Sequence, residues 1–170
     1  MVEMKQRTFR PQDLVFPLSF LVSGISAFIA INQVAPHLRS IHLVSGTILG
    51  RVLVTNVGLF GIVAFSLHSF RAETTAKDLG WPPSTPFQRE TAFADLAMGS
   101  LGILCLFYAG DFWTATAIFA SIYLSGAAIT HIIDLISHWN LSPLNSGFLL
   151  LYEILLPIVL VVLLIIYRSS

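Results

Sequence analysis

Charge is scarce in this sequence. Asp, Glu, Lys and Arg make up 11% of its 170 residues, too few to cover a water-facing globule, and this excludes a soluble, secreted or disordered chain. Nine Lys and Arg balance nine Asp and Glu, so both the basic footprint of a nucleic-acid binder and the acidic excess of a solvating tail are absent. Cysteine occurs once. Cys105 stands alone in an apolar stretch, which excludes an intrachain disulfide and a thiolate metal cluster and reads as a small core residue rather than a nucleophile. No Walker loop, Rossmann glycine fingerprint, Gly-x-Ser-x-Gly elbow or His-Glu-x-x-His motif is present, so nucleotide hydrolysis, serine hydrolysis and zincin chemistry lack support. Strict period-2 alternation is missing from every apolar run, which excludes a membrane barrel.

What is present is apolar: 55% of residues are hydrophobic and the mean hydropathy is +0.81. A bilayer core about 30 Å thick needs roughly 20 apolar residues as helix. Five runs qualify, at 14–34, 43–67, 90–108, 112–136 and 147–167. The expected fold is therefore all-α, a single transmembrane domain over 1–170 with five spanning helices, lodged in a cytoplasmic membrane with the lipid bilayer as its first partner. Lys5, Arg7 and Arg10 precede the first run as they would in a signal peptide, but the run is longer than an h-region and lacks a clean small-x-small cleavage site, so it reads as a true span. No inverted repeat is evident, and five spans do not halve, which weakens an alternating-access transporter. Gly46 with Gly50, and Ala117 with Ser121 and Ser125, form small-residue steps that read as packing seams.

Orientation follows from Lys and Arg in the flanks. Lys5, Arg7, Arg10, Arg71, Lys77 and Arg89 fall on one side, Arg39 and Arg168 on the other, which predicts a cytoplasmic N-terminus and an external C-terminus. Arg51 lies inside the second run, close enough to its end to snorkel, or to meet an anionic ligand with Asn56 deeper in the span. His37, Arg39 and His42 in the first loop read as solvated.

The long polar connection is 70–89, ending Gly80-Trp81-Pro82-Pro83-Ser84-Thr85-Pro86-Phe87-Gln88-Arg89-Glu90. Three prolines in five residues forbid helix and favour a stiff, extended path. Trp81 and Phe87 suit an interfacial position. The segment reads either as a rigid re-entry turn with aromatic anchors or as a lid over the cytoplasmic mouth.

This stretch, followed by Phe93-Ala94-Asp95-Leu96-Ala97 and Gly99-Ser100-Leu101-Gly102-Ile103-Leu104, resembles a family of small, functionally uncharacterised microbial membrane proteins with a Gly-Trp-Pro…Pro-Phe-Gln-x-Glu loop. Phe112-Trp113, Gly126-Ala127-Ala128-Ile129-Thr130-His131 and the Leu141 to Gly147 loop are similar to that family's later blocks. The resemblance spans about Gly80 to Pro157 and implies no activity.

Ionisable side chains within spans are costly and mark candidate sites. With the orientation above, Glu90, Asp95, His131, Asp134 and Glu153 all fall in the cytoplasmic half of the third, fourth and fifth spans, and they are expected to converge as a ligand-binding pocket. His131, Asp134 and His138 stand at i, i+3 and i+7 on one helical face. Pro157 removes the usual partner of the Glu153 carbonyl, so Glu153 offers both a carboxylate and a carbonyl. Tyr152, His68, Trp81 and His138 are possible outer members.

Three readings of the cluster stand open. A metal centre on His131, Glu90 and Glu153 would suit iron, zinc or manganese, although the helical di-iron pattern wants paired Glu-x-x-His, whereas His131-x-x-Asp134 occurs once and reversed. A site for a proton, a quinone or a small polar ligand would use the acids and His131 as proton acceptors. A closed cohesive network would pair Arg89 or Arg71 with Glu90 and His131 with Glu153. The last accords with an accessory subunit, docked through small-residue seams to other membrane subunits or to a second copy.

Overall fold

The computed structural model describes residues 15–83 and 85–170. Lys5, Arg7, Arg10, Leu14 and Ser84 therefore lie outside the described residues. Within them the chain is helical and contains no strand.

The first apolar run forms α1, Val15–Asn32. A short 3-10 turn, Pro36–Leu38, leads to Ser40, whose hydroxyl accepts from the Leu43 backbone N–H and so satisfies one donor left open at a helix start. From there α2 runs unbroken over Ile41–Phe70, with a π-helical stretch at Leu53–Leu59. Then come α3, Ala72–Leu79, α4, Thr85–Leu104, and α5, Asp111–His138. A single turn at Pro143–Ser146 precedes α6, Phe148–Ser169, which carries Pro157 in its interior.

Three of these helical stretches are long and apolar enough to cross a membrane: Ile41–Phe70, Asp111–His138 and Pro143–Ser169. The apolar part of α1, Pro17–Asn32, is shorter, and α4 carries Arg89, Glu90 and Asp95. The outward faces bear large apolar side chains, including Phe28 of α1, Ile129 and Ile133 of α5, and Ile158 and Ile165 of α6, all more than half exposed. A bundle built for water would carry polar residues there.

The connection 70–89 departs from an extended path. Residues 72–79 form α3, whose inner side buries Thr75, Ala76, Asp78 and Leu79. The helix stops at Gly80, with φ 75°, and the Trp81 N–H reaches the Ala76 carbonyl at 2.9 Å while the Gly80 N–H reaches Lys77 at 3.1 Å. This is a left-handed glycine cap, and a Cβ at Gly80 would run into Asn140 and Ser142. Pro86 sits in the first turn of α4, where a missing N–H costs no helical bond. Proline thus starts this helix instead of forbidding it.

The packing is organised around α2. Its first half lies against α1 and α6, and its π-helical and final stretches lie against α4. The close approach there is made by glycine: a Cβ on Gly61 would strike the Gly99 backbone, and one on Gly102 would strike Gly58. The small-residue step at Gly46 and Gly50 has another use, since those glycines are roofed by the rings of Tyr167 and Trp113. Ala117 and Ser121 are buried as expected of a seam. Meanwhile α5 packs on α6, and α4 and α5 touch each other far less. With α4 drawn to α2 and α5 drawn to α6, a gap remains between the two pairs.

Candidate functional site

That gap is a cavity of about 570 Å³. Its walls come from the last turns of α2, α4 from Phe87 to Asp95, the middle of α5 from Ile122 to His131 and the start of α6, and it is capped by α3 with Trp81 and Pro82. Most of the lining is aliphatic or aromatic, as small-molecule sites are. The polar exceptions gather at one pole.

Asp95 of α4 is 2% exposed. Its Oδ2 lies 2.7 Å from His68 Nδ1 of α2, and its Oδ1 accepts from the Tyr123 hydroxyl of α5 at 2.8 Å. Three helices therefore meet at one carboxyl group. Beside it stand Glu153 of α6 and His131 of α5, 4% and 5% exposed, with Glu153 Oε1 and His131 Nε2 3.8 Å apart. That separation is beyond hydrogen-bonding distance. Glu153 Oε2 and His131 Nδ1 are buried and have no hydrogen-bond partner, and the same holds for Gln88 Oε1, on another lining residue. Buried polar atoms are nearly always paired, so three orphans around one cavity mark it as a site built for something further.

The cap is held by a second polar group. The Trp81 indole N–H donates to Asp134 Oδ2 at 2.8 Å, and its ring lies 5.1 Å from that of His131, between centroids. Asn140 Nδ2 bridges Asp134 Oδ2 and the Leu79 carbonyl, and His138 Nδ1 lies 2.8 Å from Asp134 Oδ1. At the other end of α3, Gln88 Nε2 donates to the Ala72 carbonyl at 2.7 Å.

Of the residues expected from sequence, Asp95, His131 and Glu153 do come together at the cavity, joined by His68 and Trp81. The others do not. Glu90 is exposed on α4 and does not line the cavity, so the ligand set of His131, Glu90 and Glu153 is not assembled; among the described residues no three His, Cys, Asp or Glu side chains gather in a way that would hold a metal ion. Glu90 also forms no ion pair with Arg71 or Arg89 among the described residues. Asp134 belongs to the latch on the cap, where Trp81 touches both it and His131, as the shared helical face allows. His138 is exposed and serves the same latch. Tyr152, next to Glu153 in sequence, turns away from the cavity, and its hydroxyl donates to the Asn56 carbonyl of α2. Asn56, fully buried, also binds Ser19 and Ser23 of α1, so it is committed to packing, and Arg51 is exposed.

The sequence reading missed Tyr123 and Gln88. Tyr123 carried a signal, since Tyr123, Ala127 and His131 stand at i, i+4 and i+8 on one stripe of α5, and all three line the cavity. Gln88 carried none that distinguishes it from any polar residue near a helix start.

A family model of unknown function, DUF6790, matches residues 14–170. The chain belongs to that family. The match takes in all six helices and every residue of the cavity, and extends on both sides of the stretch that carried the loop signature. No curated protein and no solved structure matches the chain.

Proposed function

We propose that this member of the family is a five-span integral membrane protein, N-terminus in the cytoplasm and C-terminus outside, whose cytoplasmic-side cavity binds a small amphipathic molecule. The observation that carries the reading is the cavity itself, about 570 Å³ with apolar walls and one polar pole at which Asp95, Glu153, His68, His131 and Tyr123 converge. Its volume falls in the range of roughly 300 to 1,000 Å³ typical of small-molecule sites. The alternative of an accessory subunit relied on free small-residue seams. Gly58, Gly61, Gly99 and Gly102 are instead spent on contact between α2 and α4, and Gly46 and Gly50 lie beneath aromatic rings.

Native mass spectrometry of the protein released from membranes in mild detergent tests the binding reading. Wild-type protein retains or takes up a small molecule, and Ala127→Trp, which fills the cavity from α5, does not. Equal occupancy of the two proteins would refute it. Reporter fusions at both termini test the spans, and finding both ends on one side would overturn the count of five.

A further inference from the structure

The polar pole has an unbalanced demand. Two carboxyl groups, Asp95 and Glu153, line the cavity, and no Lys or Arg does. Asp95 is answered, with one oxygen paired to His68 and the other to Tyr123. Glu153 is not: its nearest basic atom, His131 Nε2, stands 3.8 Å away, and Oε2 has no partner. Gln88, two turns before Asp95 on α4, lines the same cavity. Its amide N–H is committed to the Ala72 carbonyl, which leaves Oε1 buried and unmatched as an acceptor. What Glu153 Oε2 and Gln88 Oε1 lack is a hydrogen-bond donor, and no Lys or Arg of the lining supplies one.

Resting on the pocket reading above, we infer that the cavity recognises a molecule with an apolar body and a protonated amine head, the amine docked on Glu153. An ammonium group carries donors only, so it supplies Glu153 with what it lacks, and a hydrogen bond to a charged group is about twice as strong as a neutral one. Trp81 and Tyr123 also line the cavity, and aromatic rings near a bound cation add to its attraction. The body of the molecule lies against Phe60, Val63, Leu67 and Ile122. A quinone head offers only acceptors and leaves Glu153 and Gln88 unanswered. A carboxylate head places a third acid beside Asp95 and Glu153 with no Lys or Arg to offset it.

Phenylbutylamine, phenylbutanol and phenylbutanoate share one body and differ in the head. Their binding to the full chain in detergent is measured by isothermal titration calorimetry. The amine is expected to bind about tenfold or more tighter than the alcohol, with the carboxylate weakest. Glu153→Gln brings the amine-to-alcohol ratio close to one. Gln88→Leu reduces that ratio by a smaller factor, and it decides the matter if Glu153→Gln does not fold. If amine and alcohol bind alike and Ala127→Trp abolishes both, the amine head is wrong and the pocket stands. If no probe binds, or if Ala127→Trp leaves binding unchanged, the pocket reading itself falls.

Discussion

His68 Nδ1 and Asp95 Oδ2 meet at 2.7 Å across the contact between α2 and α4. The carboxyl group is almost fully buried and the imidazole about one-fifth exposed, so the pair closes one side of the cavity while remaining reachable from it. With the Tyr123 hydroxyl on the other oxygen, Asp95 anchors α2, α4 and α5 together.

Asp95→Ala is accordingly expected to be more destabilising than a change at either partner. It strips Tyr123 and His68 of their acceptor at once, and two such losses amount to about 2 to 4 kcal/mol. Tyr123→Phe, which removes a single hydroxyl, is expected to cost about 1 kcal/mol. Thermal melts in detergent rank the two, and an Asp95→Ala protein as stable as Tyr123→Phe would show that the carboxyl group does not tie the helices.

The glycines divide into two classes. Gly61→Ala or Gly102→Ala drives a methyl group into the backbone of the facing helix, and separating two packed helices is expected to abolish folding or lower the melting temperature sharply. Gly126→Ala meets nothing within 4 Å and exchanges a poor helix former for a good one, so stability is expected to hold or rise by up to about 1 kcal/mol. A comparable loss at Gly126 would contradict the close-packed account of Gly61.

Asp134 is expected to govern the cap more than the core. Asp134→Ala frees the Trp81 indole, the Asn140 amide and His138 together. Hydrogen exchange over 75–82 should rise at least severalfold, with the melting temperature little changed, because α3 contributes few of the buried contacts of the bundle. Unaltered exchange in that segment would mean that the apolar side of α3 holds the cap alone.

Tyr152 of α6 and Asn56 of α2 meet away from the polar pole, where the Tyr152 hydroxyl donates to the Asn56 carbonyl. Asn56→Leu removes the partner of Ser19 and Ser23 and is expected to loosen α1, raising its hydrogen exchange while leaving binding of phenylbutylamine within about twofold. Loss of binding to the same degree as in Ala127→Trp would tie α1 to the site, which the contacts do not.

Helix placement was largely legible in the sequence. The apolar runs at 43–67, 112–136 and 147–167 became helices at Ile41–Phe70, Asp111–His138 and Phe148–Ser169, because the length of an apolar run and its freedom from charge set which stretches form long apolar helices whatever their neighbours do. The acids worth attention were legible for the same reason, since Asp95 and Glu153 interrupt runs that contain almost no other charge. Sequence spacing alone went astray where the azimuth of a side chain mattered. Glu90 and Asp95 are five residues apart on α4, one exposed and one buried, and adjacent Tyr152 and Glu153 meet different neighbours, Asn56 and His131.

Those outcomes belong to the tertiary structure. Only the packing of α4 against α2 through glycine, and of α5 against α6, decides that a cavity opens between the pairs; only that packing brings His68 and Tyr123, distant in sequence, to Asp95. Residue identity determined which groups are expensive to bury, and the relative rotation of the helices determined which of them share a wall and which are left without a partner.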